Sequence, residues 1–207
     1  MLETEELWDR VLDKIMGKYE FSCNEEDINF IWNNSFEVVS KYLSDKFNLN
    51  ITEDNLLQDI HNFSIEEYAS SNIKLKKGLD KFLKSMRDEN IKLAVCTSLS
   101  EKQYTAVLKN TGLIDKIGFV FSATDEGFDK GDYRVYEIVS SKLGIHPRNI
   151  IAFDDELRAI RAAKRAGMRT SLMKNSKNNT EDSYILSMID YCVDDFDEFM
   201  KIDIRWN

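Results

Sequence analysis

The sequence predicts an α/β protein whose core is a Rossmann-like, doubly wound parallel sheet, with a helical module ahead of most of that core. Three observations carry the prediction. Residues 5–90 follow helical spacing almost throughout. From Ile91 onward, short apolar runs alternate with helical stretches, the pattern of βαβ units with right-handed crossovers and a parallel sheet. Residues 150–168, I-I-A-F-D-D-E-L-R-A-I-R-A-A-K-R-A-G-M, then place two carboxylates where a strand of buried-sheet type ends and an Ala- and Arg-rich helix begins. Acidic groups at the carboxyl end of a parallel strand face the crevice where open α/β sheets bind ligands.

The elements follow in order. Leu7, Trp8, Val11, Leu12 and Ile15 recur at helical spacing, so one face of a first helix is apolar. Ser22-Cys23-Asn24-Glu25-Glu26 offers caps for a second helix running through Phe30 to Trp32, and Ser35 caps a third, with Phe36, Val39, Tyr42, Leu43 and Phe47 inward. Thr52 caps a fourth, and Ser64 with Glu66 and Glu67 forms a near capping box for a fifth. Gly78 precedes an amphipathic run through Leu79, Phe82, Leu83 and Met86. Residues 91–96 read as a strand ending at Thr97-Ser98, and residues 101–110 as a helix ended by Gly112. A strand at 119–122 leads through the loop 124–130 into a helix from about Arg134 to Leu143. After the strand at 150–153 and its helix, residues 170–173 form a further strand, and 191–193 a short edge strand.

A chain of 207 residues makes one large domain or a core with a smaller second domain. At 43% hydrophobic it buries a substantial core. A net charge of −9 argues against a nucleic-acid partner, because phosphate backbones are held by Lys and Arg. It leaves room for a small phosphorylated metabolite, which needs only local positive charge or a metal. Cys23, Cys96 and Cys192 are odd in number and far apart, as expected of reduced thiols in a cytosol. No apolar run has membrane-spanning length and the N-terminus is acidic, so the expectation is a cytoplasmic protein without a membrane partner. Oligomeric state is not legible.

Polar groups at three strand ends are candidates for chemistry. The Thr97 and Ser98 hydroxyls, with the helix start behind them, suit an anionic oxygen; the plain alternative is that they cap the helix. Lys130, in the loop after the next strand, offsets negative charge, or is simply solvated. Asp154 and Asp155 exceed what a helix cap needs, and adjacent carboxylates require a cation or a proton between them. Mg²⁺ commonly takes one or two carboxylates plus a phosphate. Together the set suits phosphoryl transfer, which is mostly positioning and electrostatics. His61 lies in the helical module and His146 at the amino end of a strand, so both read as structural.

These residues resemble the haloacid dehalogenase superfamily, in particular its capped phosphatases and β-phosphoglucomutase-like enzymes. That branch ends its last motif as F-E-D-S-x-x-G-I-x-A-A-x-A-A-G-M. Phe153, Asp155, Ile160, Ala162, Ala163, Ala166, Gly167 and Met168 match it, while Asp154, Glu156 and Ala159 stand for Glu, Ser and Gly. Residues 74–98 resemble the family's return from cap to core, and 191–199 its closing strand and helix. The resemblance implies a core of residues 1–8 and 72–207 and a helical cap of 9–71 that closes over substrate. It implies phosphoryl binding by Thr97 and Ser98, charge balance by Lys130, and Mg²⁺ held by Asp155 with Asp154. It also implies hydrolysis of a phosphorylated metabolite through an aspartyl-phosphate, or a related sugar-phosphate mutase reaction.

Two departures matter. The family's nucleophile lies in a D-x-D-x-[T/V] motif ending its first strand, and residues 1–7 align with the segment just after it. The nucleophile and its strand, which belongs between the strands ending at Thr97 and Asp154, are therefore expected upstream of Met1. The chain as written is expected to be inactive; the alternative is a catalytically silent binding or regulatory relative. Gly131-Asp132-Tyr133-Arg134 also replaces the family's proline-rich K-P-x-P-D continuation after Lys130, which predicts a looser loop.

Overall fold

The computed structural model describes residues 1–32, 34–175 and 186–204. The chain divides into a core unit of Met1–Leu2, Leu75–Tyr104 and Gly112–Asn207, and a helical unit of Glu3–Lys74 with Thr105–Thr111. Two short strands, β1 (Leu2–Glu3) and β2 (Lys74–Leu75), pair along the connecting segments.

In the helical unit, α1 (Glu5–Tyr19) buries Leu7, Val11 and Ile15, residues four apart that share one face. Helix α2 (Glu25–Trp32) is capped by Asn24, within the stretch 22–26 that the sequence offers for caps. The Asn24 side chain accepts from the Asp27 amide and the Asp27 carboxylate from the Asn24 amide, a reciprocal capping box. Helix α3 (Phe36–Lys46) buries Val39 and Leu43. Helix α4 (Glu53–Ser70) is capped by Thr52, as predicted, and runs unbroken through Ser64. The expected fifth helix start fails because the buried Ser64 hydroxyl donates to His61 O within the same helix. Arg10, Lys14 and Lys18 of α1 pair with Glu67, Glu66 and Asp59 of α4.

The core unit is α/β with parallel pairing, as the sequence predicts. Strand β3 (Ala94–Thr97) runs parallel to β4 (Phe119–Ser122). Strands β5 (Ile151–Asp154), β6 (Arg169–Met173) and β7 (Tyr191–Val193) form a second parallel sheet. Helices cover both faces of β5. Phe153 packs against Phe82 of α5 (Leu79–Asp88) and against Phe196 and Phe199 of α9 (Phe196–Phe199), with ring centroids 5.3, 5.6 and 4.5 Å away. Ala152 packs toward Val135, Tyr136 and Val139 of α7 (Tyr133–Leu143) and toward Ala159 and Ala163 of α8 (Leu157–Arg165). The remaining core helix, α6 (Glu101–Asn110), follows β3.

Two glycines fix the helix joints. Gly167, at φ +87°, turns the chain from α8 into β6. Gly78, at φ +80°, opens α5 where a Cβ would lie 2.4 Å from the Asp197 backbone nitrogen.

One expectation is corrected. The apolar run before Asp154 reads as a buried strand, yet every residue of β5 is only half-buried, and so is every residue of β3. In β6 all but Arg169 are buried. The reason is pairing: among the described residues β6 has a neighbour on each side, whereas β5 pairs only with β6 and β3 only with β4. Two open strand edges result, carrying unpaired ladder groups. Among the described residues no helix is long and apolar enough to cross a membrane.

Candidate active site

Lys130 joins the two sheets electrostatically. It lies in the loop after β4, and its ammonium sits 2.6 Å from Asp154 Oδ2 at the end of β5, with the two side chains 15% and 12% exposed. Burial alone would lower the Lys130 pKa, but the Asp154 and Glu156 carboxylates outweigh it and the net shift is upward. Lys130 is therefore a fixed positive charge. The loop lacks the family's prolines but is tied by hydrogen bonds. Asp129 Oδ1 accepts from the Gly131 amide at 2.6 Å, Arg158 donates to Asp129 at 2.9 Å, and Asp132 caps α7.

The two aspartates differ. Asp154 Oδ2 meets Lys130, and Asp154 Oδ1 accepts from the Glu156 amide at 3.1 Å. Asp155 is exposed, and its Oδ2 accepts from the Asn175 side-chain amide at 2.9 Å. Among the described residues no three His, Cys, Asp or Glu side chains gather as a metal cage. Mg²⁺ does not require one, since it is usually held by one or two carboxylates, with water and phosphate oxygens for the rest. Asp155 is the exposed carboxylate of the two, whereas Asp154 is half-buried and engaged by Lys130 and the Glu156 amide.

Thr97 ends β3 and Ser98 follows it, exposed. Neither caps α6. The Ser100 amide is taken by Gln103 Oε1 and the Glu101 amide by Asp125. Thr97 Oγ1 accepts from the Leu99 amide at 3.1 Å, which leaves its proton free to donate. Among the described residues no hydrogen bond joins Thr97 or Ser98 to the Lys130–Asp154 pair. His146 caps a 3₁₀ turn, Pro147–Asn149, and His61 lies edge-on to Phe36 with its pKa lowered by burial.

Three features of this rim escape the sequence. Asn175, two residues past β6, reaches back to Asp155. Lys76 donates its amide to Met1 O and its ammonium to Lys174 O. The Met1 amino group is buried there; burial lowers its pKa, while Asp155 and Asp154 oppose the shift. Tyr136, an apparent core residue of α7, has its hydroxyl buried without a hydrogen-bond partner. Of these only Asn175 carries a sequence signal, its place just beyond a strand end.

Residues 1–173 match the family model of haloacid dehalogenase-like hydrolases, and the chain belongs to that family. YhcW of Bacillus subtilis (strain 168), named as a phosphatase, is 29% identical over 107 residues, which are 52% of this chain and 49% of YhcW. The chain spans about half or less of the length of the curated relatives it matches. Among solved structures, CbbY from Rhodobacter sphaeroides in complex with phosphate superimposes with a TM-score of 0.81 at 19% identity, over 96% of this chain and 91% of CbbY. A Thermotoga maritima protein designated a β-phosphoglucomutase gives 0.80 at 18% identity, over 97% of this chain and 92% of that one. At these identities the structures report the fold.

Proposed function

We propose that this chain serves a Mg²⁺-dependent phosphatase-type reaction on a small phosphorylated metabolite. The observation that carries the reading is the Lys130–Asp154 pair, set at a rim beside the exposed Asp155 and between two unpaired strand edges. Phosphoryl transfer asks for a fixed cation, hydroxyl or amide donors and a metal-holding carboxylate. Lys130, the Thr97 and Ser98 hydroxyls and Asp155 fill those roles, with Asp154 orienting Lys130 and lying next to the metal. Phosphate in CbbY and the phosphatase name of YhcW agree with this substrate class.

The nucleophile in this reading is an aspartate on a strand lying between β3 and β5. Its carboxylate oxygen attacks phosphorus, and the P–O bond to the substrate's oxygen breaks as that oxygen takes a proton from the acid/base aspartate expected two residues beyond the nucleophile, which recovers it from the attacking water. Water then attacks the acyl-phosphate, releasing phosphate and regenerating the carboxylate. Bound Mg²⁺ would neutralise charge on the phosphoryl oxygens. Lys130 offsets the remaining charge without giving up its proton. A mutase differs only in returning the phosphoryl group to a sugar hydroxyl. A cytoplasmic setting belongs to the same reading, and all three cysteines are free.

The test is an aryl-phosphate assay with Mg²⁺. Residues 1–207 alone should show little or no turnover; a version extended upstream of Met1 with the nucleophile strand should show turnover that Asp155→Asn and Lys130→Met abolish. Turnover by the unextended chain that Asp155→Asn leaves untouched would falsify the nucleophile and metal assignments together. Phosphate binding without turnover in the extended version would favour the silent binding relative.

A further inference from the structure

Tyr136 is 4% exposed, in the first turns of α7, and among the described residues its hydroxyl has no hydrogen-bond partner. A buried polar group left unpaired costs about 1–3 kcal/mol, so each one asks for an explanation. The surroundings supply it. The phenol lies within the fields of Lys130, Asp154, Cys96 and Glu156, the first three of which mark the open edges of β3 and β5 and the loop joining them electrostatically. Burial chiefly, with the aspartate adding to it, raises the phenol pKa, so the hydroxyl keeps its proton and is a donor. The nearby carboxylate has no oxygen without a donor, because Asp154 is already bonded to Lys130 and to the Glu156 amide. The missing partner is an acceptor, and beside a fixed ammonium it is best an anionic one.

An orphan hydroxyl alone would not make a site. Ser171 in β6 is also buried and unpaired, but it lies in the middle of a strand paired on both sides. Tyr136 differs in lying within the field of the Lys130 ammonium, in the cluster against which Cys96 of β3 and Ala152 of β5 pack.

We infer that Tyr136 is a further phosphoryl-binding residue, whose hydroxyl donates to an oxygen of a phosphate held at Lys130, at the carboxyl ends of β3 and β5. The inference rests on the phosphatase-type reading above and adds a donor that neither the motifs nor the sequence pattern assign. Two rival acceptors exist, an ordered water and a backbone carbonyl of a strand in the slot. Both would make the hydroxyl structural, and stability separates them from a phosphate.

The experiment uses the 207-residue chain, inorganic phosphate with Mg²⁺, and calorimetric or ³¹P NMR titration beside a thermal melt in phosphate-free buffer. Tyr136→Phe should weaken phosphate binding roughly tenfold, the worth of one hydrogen bond to a charged group. It should leave the phosphate-free midpoint unchanged or slightly higher, because an unpaired hydroxyl is being removed. Thr97→Val reports on the site itself. If Thr97→Val weakens phosphate and Tyr136→Phe does not, the inference fails and the reading of the site survives. A phosphate-free midpoint several degrees lower in Tyr136→Phe assigns the hydroxyl to a structural partner and also overturns the inference. No phosphate binding by the unaltered chain overturns the inference, whereas the phosphatase reading falls only if the upstream-extended version also shows no turnover.

Discussion

The molecule contains the same trio twice. In the helical unit, buried Asp27 accepts from the Tyr42 hydroxyl and the Lys46 ammonium on one oxygen and from the Asn24 amide on the other. In the core unit, Asp154 pairs with Lys130 and a tyrosine hydroxyl lies nearby. The difference is completion. Every polar group of the first trio has a partner, and Phe30 stacks on Tyr42 at 4.1 Å to fix the ring. In the second the tyrosine has none. A satisfied network holds a structure together, whereas an unsatisfied donor beside a buried charge is the mark of a site. The composition of the two trios is identical, so residue type alone could not have separated them.

The largest expected effect tests that difference through stability. Lys130→Met leaves Asp154 buried without its counter-charge, which should cost about 3–5 kcal/mol. Lys46→Met should cost clearly less, because Asp27 keeps Tyr42 and Asn24 while Lys46 is 36% exposed. Urea unfolding of both variants measures the gap. Equal losses would break the comparison.

Metal binding comes next. Asp155→Asn should reduce Mn²⁺ affinity, read by titration without substrate, about 100-fold, since one carboxylate carries the protein's share of the site. Asp154→Asn is expected to act mainly through Lys130, lowering stability more than metal affinity. The reverse ranking would move the metal to Asp154.

Acid should weaken the helical unit. Asp27 is held at about 2, down from 3.8, by the Lys46 and Tyr42 hydrogen bonds. Glu67 is also held at about 2, from 4.5; burial opposes, and Arg10, Ser71 and Lys14 outweigh it. A carboxylate depressed on folding stabilises fully above its unfolded pKa and loses that contribution as pH falls through its folded value. The helical unit should thus weaken progressively from about pH 4.5 toward 2. Far-UV circular dichroism against pH checks it, and Asp27→Asn should flatten the slope. An unchanged slope in that variant would remove Asp27 from the account.

The fold was legible where local rules and packing agree. Thr52 caps α4 as its sequence suggests, and Gly167 stops α8. The motif at 150–168 could be read because small alanines, an apolar strand and paired carboxylates all sit within one βα unit. Legibility ended where a residue's role depends on distant partners. Ser64 looks like a cap and is an interior helix residue, because its hydroxyl finds a carbonyl one turn back. The half-burial of β5 depends on which strand lies beside it, and a strand's own residues do not state that. Asp154 and Asp155 look equivalent in sequence and become distinct only when Lys130 reaches one and Asn175 the other.

That last contrast gives the smallest expected effect. The Asn175 amide donates to Asp155 Oδ2 at 2.9 Å, so it restricts the carboxylate's rotation. Partners that orient a metal-binding carboxylate typically contribute at least about tenfold in affinity. Asn175→Ala should therefore weaken Mn²⁺ binding by about tenfold, well short of Asp155→Asn. Asn175→Asp should be worse than Asn175→Ala if the bond acts by donation, because a carboxylate there repels Asp155 instead of donating to it. If the Asp variant instead binds Mn²⁺ more tightly than the parent, position 175 serves as a direct ligand. The asymmetry between the two aspartates would then come from ligation and not from orientation.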